Sequence, residues 1–203
     1  MFKKLLLSFV LIIGALLSIA FIRTLMHSAP ESPVNMGVTA DIDGEAAINN
    51  LAASIRFKTI SHQDKEKFSP QEFEGFIKWA ADTYPEFHSA MQLEMLEYTL
   101  LFKWEGSDNS LAPILLTAHY DVVPVIPGTE SIWEEEPFAG VISNNRIWGR
   151  GALDDKSGVV GMMEAATYLI KNNFQPTRTV YFSFGHDEEI GGGGIGLGTT
   201  EIF

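Results

Sequence analysis

Ile114-Leu115-Leu116-Thr117-Ala118-His119-Tyr120-Asp121 is an apolar run that ends in two side chains suited to holding a metal. The run reads as a buried strand. Two further clusters of the same kind come after it. Gly149-Arg150-Gly151-Ala152-Leu153-Asp154-Asp155-Lys156 stands before a stretch with Val160, Met163, Thr167 and Ile170 at helical spacing. His186-Asp187-Glu188-Glu189 stands directly after Thr179-Val180-Tyr181-Phe182-Ser183-Phe184, which has strand composition. Strand, helix, strand in this order is the signature of an α/β fold. In open sheets of that class, ligands bind in the crevice outside the carboxyl ends of the strands. Two of the three clusters fall at such ends, so a site assembled from loops is expected there.

Outward from this stretch, the chain of 203 residues is 46% hydrophobic, enough to bury a core. Its formal charge of -12 disfavours nucleic acid as a partner, because little here would neutralise phosphates. Cysteine is absent, which excludes a disulfide framework and a thiolate zinc site and leaves histidine and carboxylates as ligands.

Residues 1–27 read as a membrane anchor or signal segment. Lys3 and Lys4 precede an uncharged run from Leu5 to Ile22, which Arg23 closes. The run is longer than the ~7–15 residues of a signal-peptide core and lies at the lower edge of a spanning helix. An uncleaved anchor is favoured, with cleavage near Ser28-Ala29 as the alternative. With the lysines inside, the rest of the chain lies outside the cytoplasm, or is secreted if the segment is removed.

Residues 28–44, with Pro30, Pro33 and Gly37, form a linker. The spacing of Ile48, Leu51, Ala52 and Ile55 predicts a helix from Glu45. Ser69-Pro70-Gln71-Glu72 predicts a capping box opening a second helix, whose buried face is Phe73, Phe76, Ile77 and Ala80. Strands are expected over Met91–Leu96 and Thr99–Trp104, and a hairpin turn at Asn144-Asn145.

His119 and Asp121 are two apart and leave an extended chain on the same face. His119 can ligate through one ring nitrogen while Asp121 fixes the ring, although the same pair is equally an ordinary hydrogen bond. Asp154 and Asp155 suit a helix N-terminus without any metal. The glycines at 149 and 151 let backbone approach closely. Glu188 and Glu189 point differently, so one can ligate while its neighbour faces a water as general base. Were the clusters to converge, Asp121, Asp154, Glu188 and Glu189 could not all stay ionised without cations to compensate them. Gly191, Gly193 and Gly196 also satisfy a dinucleotide-fingerprint spacing, but two carboxylates just ahead would repel a pyrophosphate.

Several of these segments together resemble the M20 family of metallopeptidases and amidohydrolases. They are Thr117-Ala118-His119-Tyr120-Asp121-Val122-Val123-Pro124, Trp133 with Pro137-Phe138-Ala139-Gly140, Trp148 through Lys156, and Gly185-His186-Asp187-Glu188-Glu189. Their wording is most similar to the carboxypeptidase S and N-acyl-amino-acid hydrolase branch.

The resemblance implies the N-terminal part of a zinc-peptidase-like catalytic domain over residues 45–203, a mixed sheet with flanking helices, preceded by the hydrophobic helix. It implies two Zn²⁺ ions per complete domain and hydrolysis of amides in peptides or N-acyl amino acids. His119 would bind one zinc, Asp154 would bridge both, and Glu189 would bind the other. Asp121 would support His119, and Glu188 would be the general base. The family also supplies a further acidic ligand, a late histidine and a smaller lid domain used for dimerisation. Phe203 comes before any of these, so a C-terminally incomplete, inactive fragment is expected, with a homodimer only if the lid is present. The competing class is a non-catalytic relative that keeps the fold and binds a ligand.

Overall fold

The computed structural model describes residues 2–27 and 40–193. Residues 28–39 of the predicted linker over 28–44 therefore lie outside the described residues, as do the Ser28-Ala29 position and Gly196. Helix α1 (Phe2–Leu25) is apolar along its length and has no buried residue. Its 24 residues rise about 36 Å at ~1.5 Å each, which spans a hydrocarbon core of ~30 Å.

The second unit begins at Asp41. Asp43 caps α2 (Gly44–Ile55) by accepting from the Ala46 amide. Ala52 and Ile55 are buried as the spacing predicts, whereas Ile48 lies exposed one turn nearer the helix start. Helix α3 (Pro70–Thr83) starts with Pro70 in its first turn and buries Phe73, Phe76 and Ala80. The predicted capping box does not close, since Ser69 makes no side-chain cap. Glu72 instead accepts from the Lys58 amide at 2.8 Å, so tertiary contact takes the carboxylate that local capping would have used. The short α4 (Pro85–Ala90) follows directly.

Strands β1 (Gln92–Leu96) and β2 (Thr99–Trp104) form a hairpin, and β3 (Ile114–His119) carries the first ligand cluster. Strands β4 (Val141–Ser143) and β5 (Arg146–Trp148) pair as a small hairpin. Asn144 and Asn145 turn it, both with positive φ (51° and 58°) as its two-residue loop requires. Helix α5 (Lys156–Lys171) and β6 (Val180–Gly185) complete the unit.

The main sheet has the order β1-β2-β6-β3. It is mixed: β2 pairs antiparallel with β6, and β3 pairs parallel with it. The aromatic core gathers between this sheet and helices α3, α4 and α5. Phe76 stacks on Tyr120 at 4.4 Å, and Phe87 meets Phe102 edge-on at 4.8 Å.

The expectation that β3 is wholly buried is corrected. Ile114 and Leu116 are exposed, and burial begins at Ala118 and His119. Among the described residues β3 is an edge strand with β6 on one side only, so just its C-terminal end is covered. The expected close approach at Gly149 and Gly151 is present, but toward packing partners. Gly151 has φ +82°, and a Cβ there would stand 2.6 Å from Val122 Cγ1.

Candidate metal centre

The parallel register of β3 on β6 sets His119 opposite Gly185, so the ends of both strands open at one edge of the sheet. The chain leaves β6 through His186 and Asp187 into a single turn of 3-10 helix, Glu188–Ile190. Asp154 reaches the same edge from the segment before α5. Its neighbour Asp155 is the true cap of that helix, accepting from the Gly158 amide at 3.2 Å. Capping therefore explains Asp155 and leaves Asp154 free for other work, with its side chain 77% exposed.

One ligand atom each from His119, Asp154 and Glu189 lie within 4.8 Å of one another. His119 Nε2 is 3.1 Å from Asp154 Oδ1 and 3.6 Å from Glu188 Oε2. The other ring nitrogen, Nδ1, lies 3.2 Å from the Asp121 carbonyl oxygen and 3.2 Å from Asp121 Oδ1. Nδ1 thus points into the protein and Nε2 faces the carboxylates, the orientation of a ligating imidazole held from behind.

Asp121 is fully buried and has four partners. Besides His119, it accepts from the Ser61 hydroxyl at 2.6 Å, from the Glu188 amide at 3.2 Å and from the Glu189 amide at 3.1 Å. One carboxylate therefore aims the histidine and fixes the turn that carries both glutamates. Ser61 was not legible as a site residue. It arrives because residues 59–61 run beside 120–122: Thr59 Oγ1 donates to the Tyr120 carbonyl at 2.6 Å, and the Val122 amide donates to Thr59 at 2.9 Å. Its only sequence signal was a Thr-x-Ser segment after a helix, which is too common to single out.

The charges around His119 suit a divalent cation. Burial opposes protonation of His119, but the hydrogen bond and charge of Asp121, with the charge of Glu188, outweigh it and push the imidazole up to about 9. Burial would raise the Asp121 carboxyl, yet His119, Ser61 and the Glu189 amide hold it below its ordinary value. Burial and the neighbouring Asp154 charge raise Glu189. Carboxylates crowd one imidazole here, and a divalent cation on hard oxygen and nitrogen donors relieves that crowding.

Lys156, also unremarked in sequence beyond its place in the motif, is fully buried behind the site. Its ammonium donates to the Ser54 and Phe57 carbonyls at 2.9 and 2.7 Å, tying the start of α5 to the end of α2. Burial pushes its pKa down to about 7.

His186, grouped in sequence with the metal-type side chains, does not join them. It is buried beside Thr99, with Nδ1 at 2.8 Å from Thr99 Oγ1, and its ring meets Phe73 edge-on.

Residues 115–201 match the Peptidase family M20/M25/M40. Over these residues the chain carries part of an M20 peptidase domain. It is 35% identical to a probable carboxypeptidase S-like protein of Dictyostelium discoideum over 95% of its length and 38% of that protein's. It is 36% identical to an N-fatty-acyl-amino acid synthase/hydrolase of Xenopus tropicalis, over 75% of this chain and 30% of that one. The chain thus spans about a third of the length of the curated relatives it matches. In fold it is similar to human carnosine dipeptidase 1, with a TM-score of 0.63 at 20% identity over 77% of this chain and 35% of that one. An M20 family metallo-carboxypeptidase of Sulfolobus solfataricus gives 0.60 at 24% identity with the same coverage. These M20 structures support the α/β fold with its mixed sheet; the roles of individual side chains rest on the geometry above.

Proposed function

We propose that this chain contributes part of the metal-binding site of a zinc-dependent hydrolase acting on amide bonds of peptides or N-acyl amino acids. The convergence of His119, Asp154 and Glu189 carries the reading, since these side chains come from three separate segments. The activities named for the relatives, carboxypeptidase and N-fatty-acyl-amino acid hydrolase, support the substrate class.

His119 and Glu189 would each hold zinc, and Asp154 would be a ligand shared between the two ions. The second ion needs donors besides these. When bound, zinc polarises an amide carbonyl and makes water more acidic. Glu188 lies on the open side of the cluster with its side chain about half exposed, so its carboxylate is free to take a proton from an attacking water and return it to the leaving nitrogen. Asp121 keeps the proton on Nδ1 of His119, which leaves Nε2 for the metal. The apolar α1 fits an anchor that leaves this unit outside the cytoplasm, with a cleaved signal as the alternative.

The test is metal content of the purified chain by atomic absorption, with two variants. His119→Ala should lose zinc. Glu188→Gln should keep it, and should cut kcat by at least ~10²-fold wherever hydrolysis by the whole protein is measured. Equal loss of zinc from both variants would remove the division of labour between Glu188 and its neighbour.

A further inference from the structure

Beside the metal cluster lies a cavity of about 290 Å³, lined by Phe68, Tyr98, His186 and Ile190, with Ser61 and Asp187 on the side of the cluster. It shares its wall with the site in two places. Ser61 lines it while donating to Asp121, and Asp187 and Ile190 flank the turn that presents Glu188 and Glu189.

The lining says what that group is. Phe68 and Tyr98 lie 5.2 Å apart and Tyr98 stands 5.8 Å from the His186 ring, so three rings adjoin in the lining, which Ile190 also joins. His186 presents a ring here, its Nδ1 being taken up by Thr99. Lys65 and His62 also border the cavity, together with Glu97 and Asp187, and Nε2 of His186 lies 3.7 Å from Glu97 Oε2. These groups of opposite sign leave no clear net pull on a substrate carboxylate, whereas the three rings and Ile190 offer an apolar surface. The volume sits at the lower end of the ~300–1,000 Å³ of small-molecule pockets, so it takes one side chain or short acyl group rather than a whole substrate.

We infer that this cavity is a specificity subsite for a single apolar or aromatic group next to the scissile amide. The inference rests on the metal-site reading for where the amide lies. The group belongs either to the amino acid or to the acyl portion, and the test separates the two.

The full 203-residue chain, in detergent and supplied with zinc, is titrated calorimetrically with N-acetylglycine, N-acetyl-L-phenylalanine and N-phenylacetylglycine. At least one of the phenyl probes should bind about tenfold or more tightly than N-acetylglycine, the gain expected when one apolar side chain leaves water. Tightening of N-acetyl-L-phenylalanine assigns the cavity to the amino-acid side, and tightening of N-phenylacetylglycine assigns it to the acyl side. Lys65→Trp, which fills the cavity from its exposed wall, and Phe68→Ala, which removes an aromatic wall, should each shrink that preference while leaving zinc content unchanged. Phenyl probes that bind no better than N-acetylglycine, or a preference that survives both substitutions, would overturn the subsite. Zinc content, measured in the same samples and in His119→Ala, tests the metal reading separately. A chain that takes no zinc yet keeps a cavity-dependent preference retains the subsite and loses the metal assignment.

Discussion

Zinc should bind this chain in competition with a proton on His119, and Asp121 sets the strength of that competition. In the metal-free chain the imidazole is pushed up from 6.5 to about 9, with Asp121 as the main opponent of burial. Zinc requires the Nε2 lone pair, so at pH 7 the proton must leave a group about two pH units below its pKa. At ~1.36 kcal/mol per unit this costs about 2.7 kcal/mol, roughly a hundredfold in apparent affinity relative to the deprotonated site. The apparent association constant should therefore rise nearly tenfold per pH unit between pH 6.5 and 8. In Asp121→Asn the strongest acidic partner is gone and burial acts against the charged ring, so the imidazole returns toward its ordinary value and the slope should flatten over the same window. Competition against a chromophoric chelator of known protonation measures both slopes. Equal slopes in the two proteins, or a flat slope in the native chain, would refute the argument.

Three other outcomes are expected. Ser61→Ala removes a 2.6 Å hydrogen bond to a buried carboxylate and should cost about 2 kcal/mol in chemical unfolding, with an unaltered midpoint counting against the role given to Ser61. Lys156→Met removes the ammonium's hydrogen bonds to the Ser54 and Phe57 carbonyls, of which Ser54 keeps only the longer bond from the Phe57 amide, and should destabilise by about 2–3 kcal/mol; a neutral effect would show that the ammonium is dispensable. The expressed chain should stay with membranes through high-salt and carbonate washing, because α1 is long enough to span; soluble protein lacking the first ~25–30 residues would instead mean a cleaved signal.

How much of this was legible depended on whether the deciding contact was local. Strand and helix periods placed β1, β2, β6, α3 and α5, and the two asparagines marked their hairpin, because those signals come from residues near in sequence. The three ligand clusters were visible because each is compact and sits at an element boundary. Ser61 was invisible, since its role exists only where 59–61 runs beside 120–122. The same reason defeated the capping box, where Glu72 is drawn to the Lys58 amide by the folded arrangement. His186 was grouped with the ligands because it is adjacent to them in sequence, yet it turns toward Thr99 on β2, a partner 87 residues away. The half-exposed face of β3 was missed because an apolar run says nothing of how many neighbours a strand has.

The parallel pairing of β3 with β6 also bears on the order in which the molecule is built. These strands meet only after the chain between them has closed a long crossover through β4, β5 and α5. No local fragment holds His119 and Glu189 together. Contacts of such sequence separation are costly to form early, so the donor set belongs to the late steps of folding. An ion bound there strengthens contacts that are largely absent from the folding transition state. It should prolong the lifetime of the folded chain by slowing its unfolding, while hardly changing how fast the chain folds.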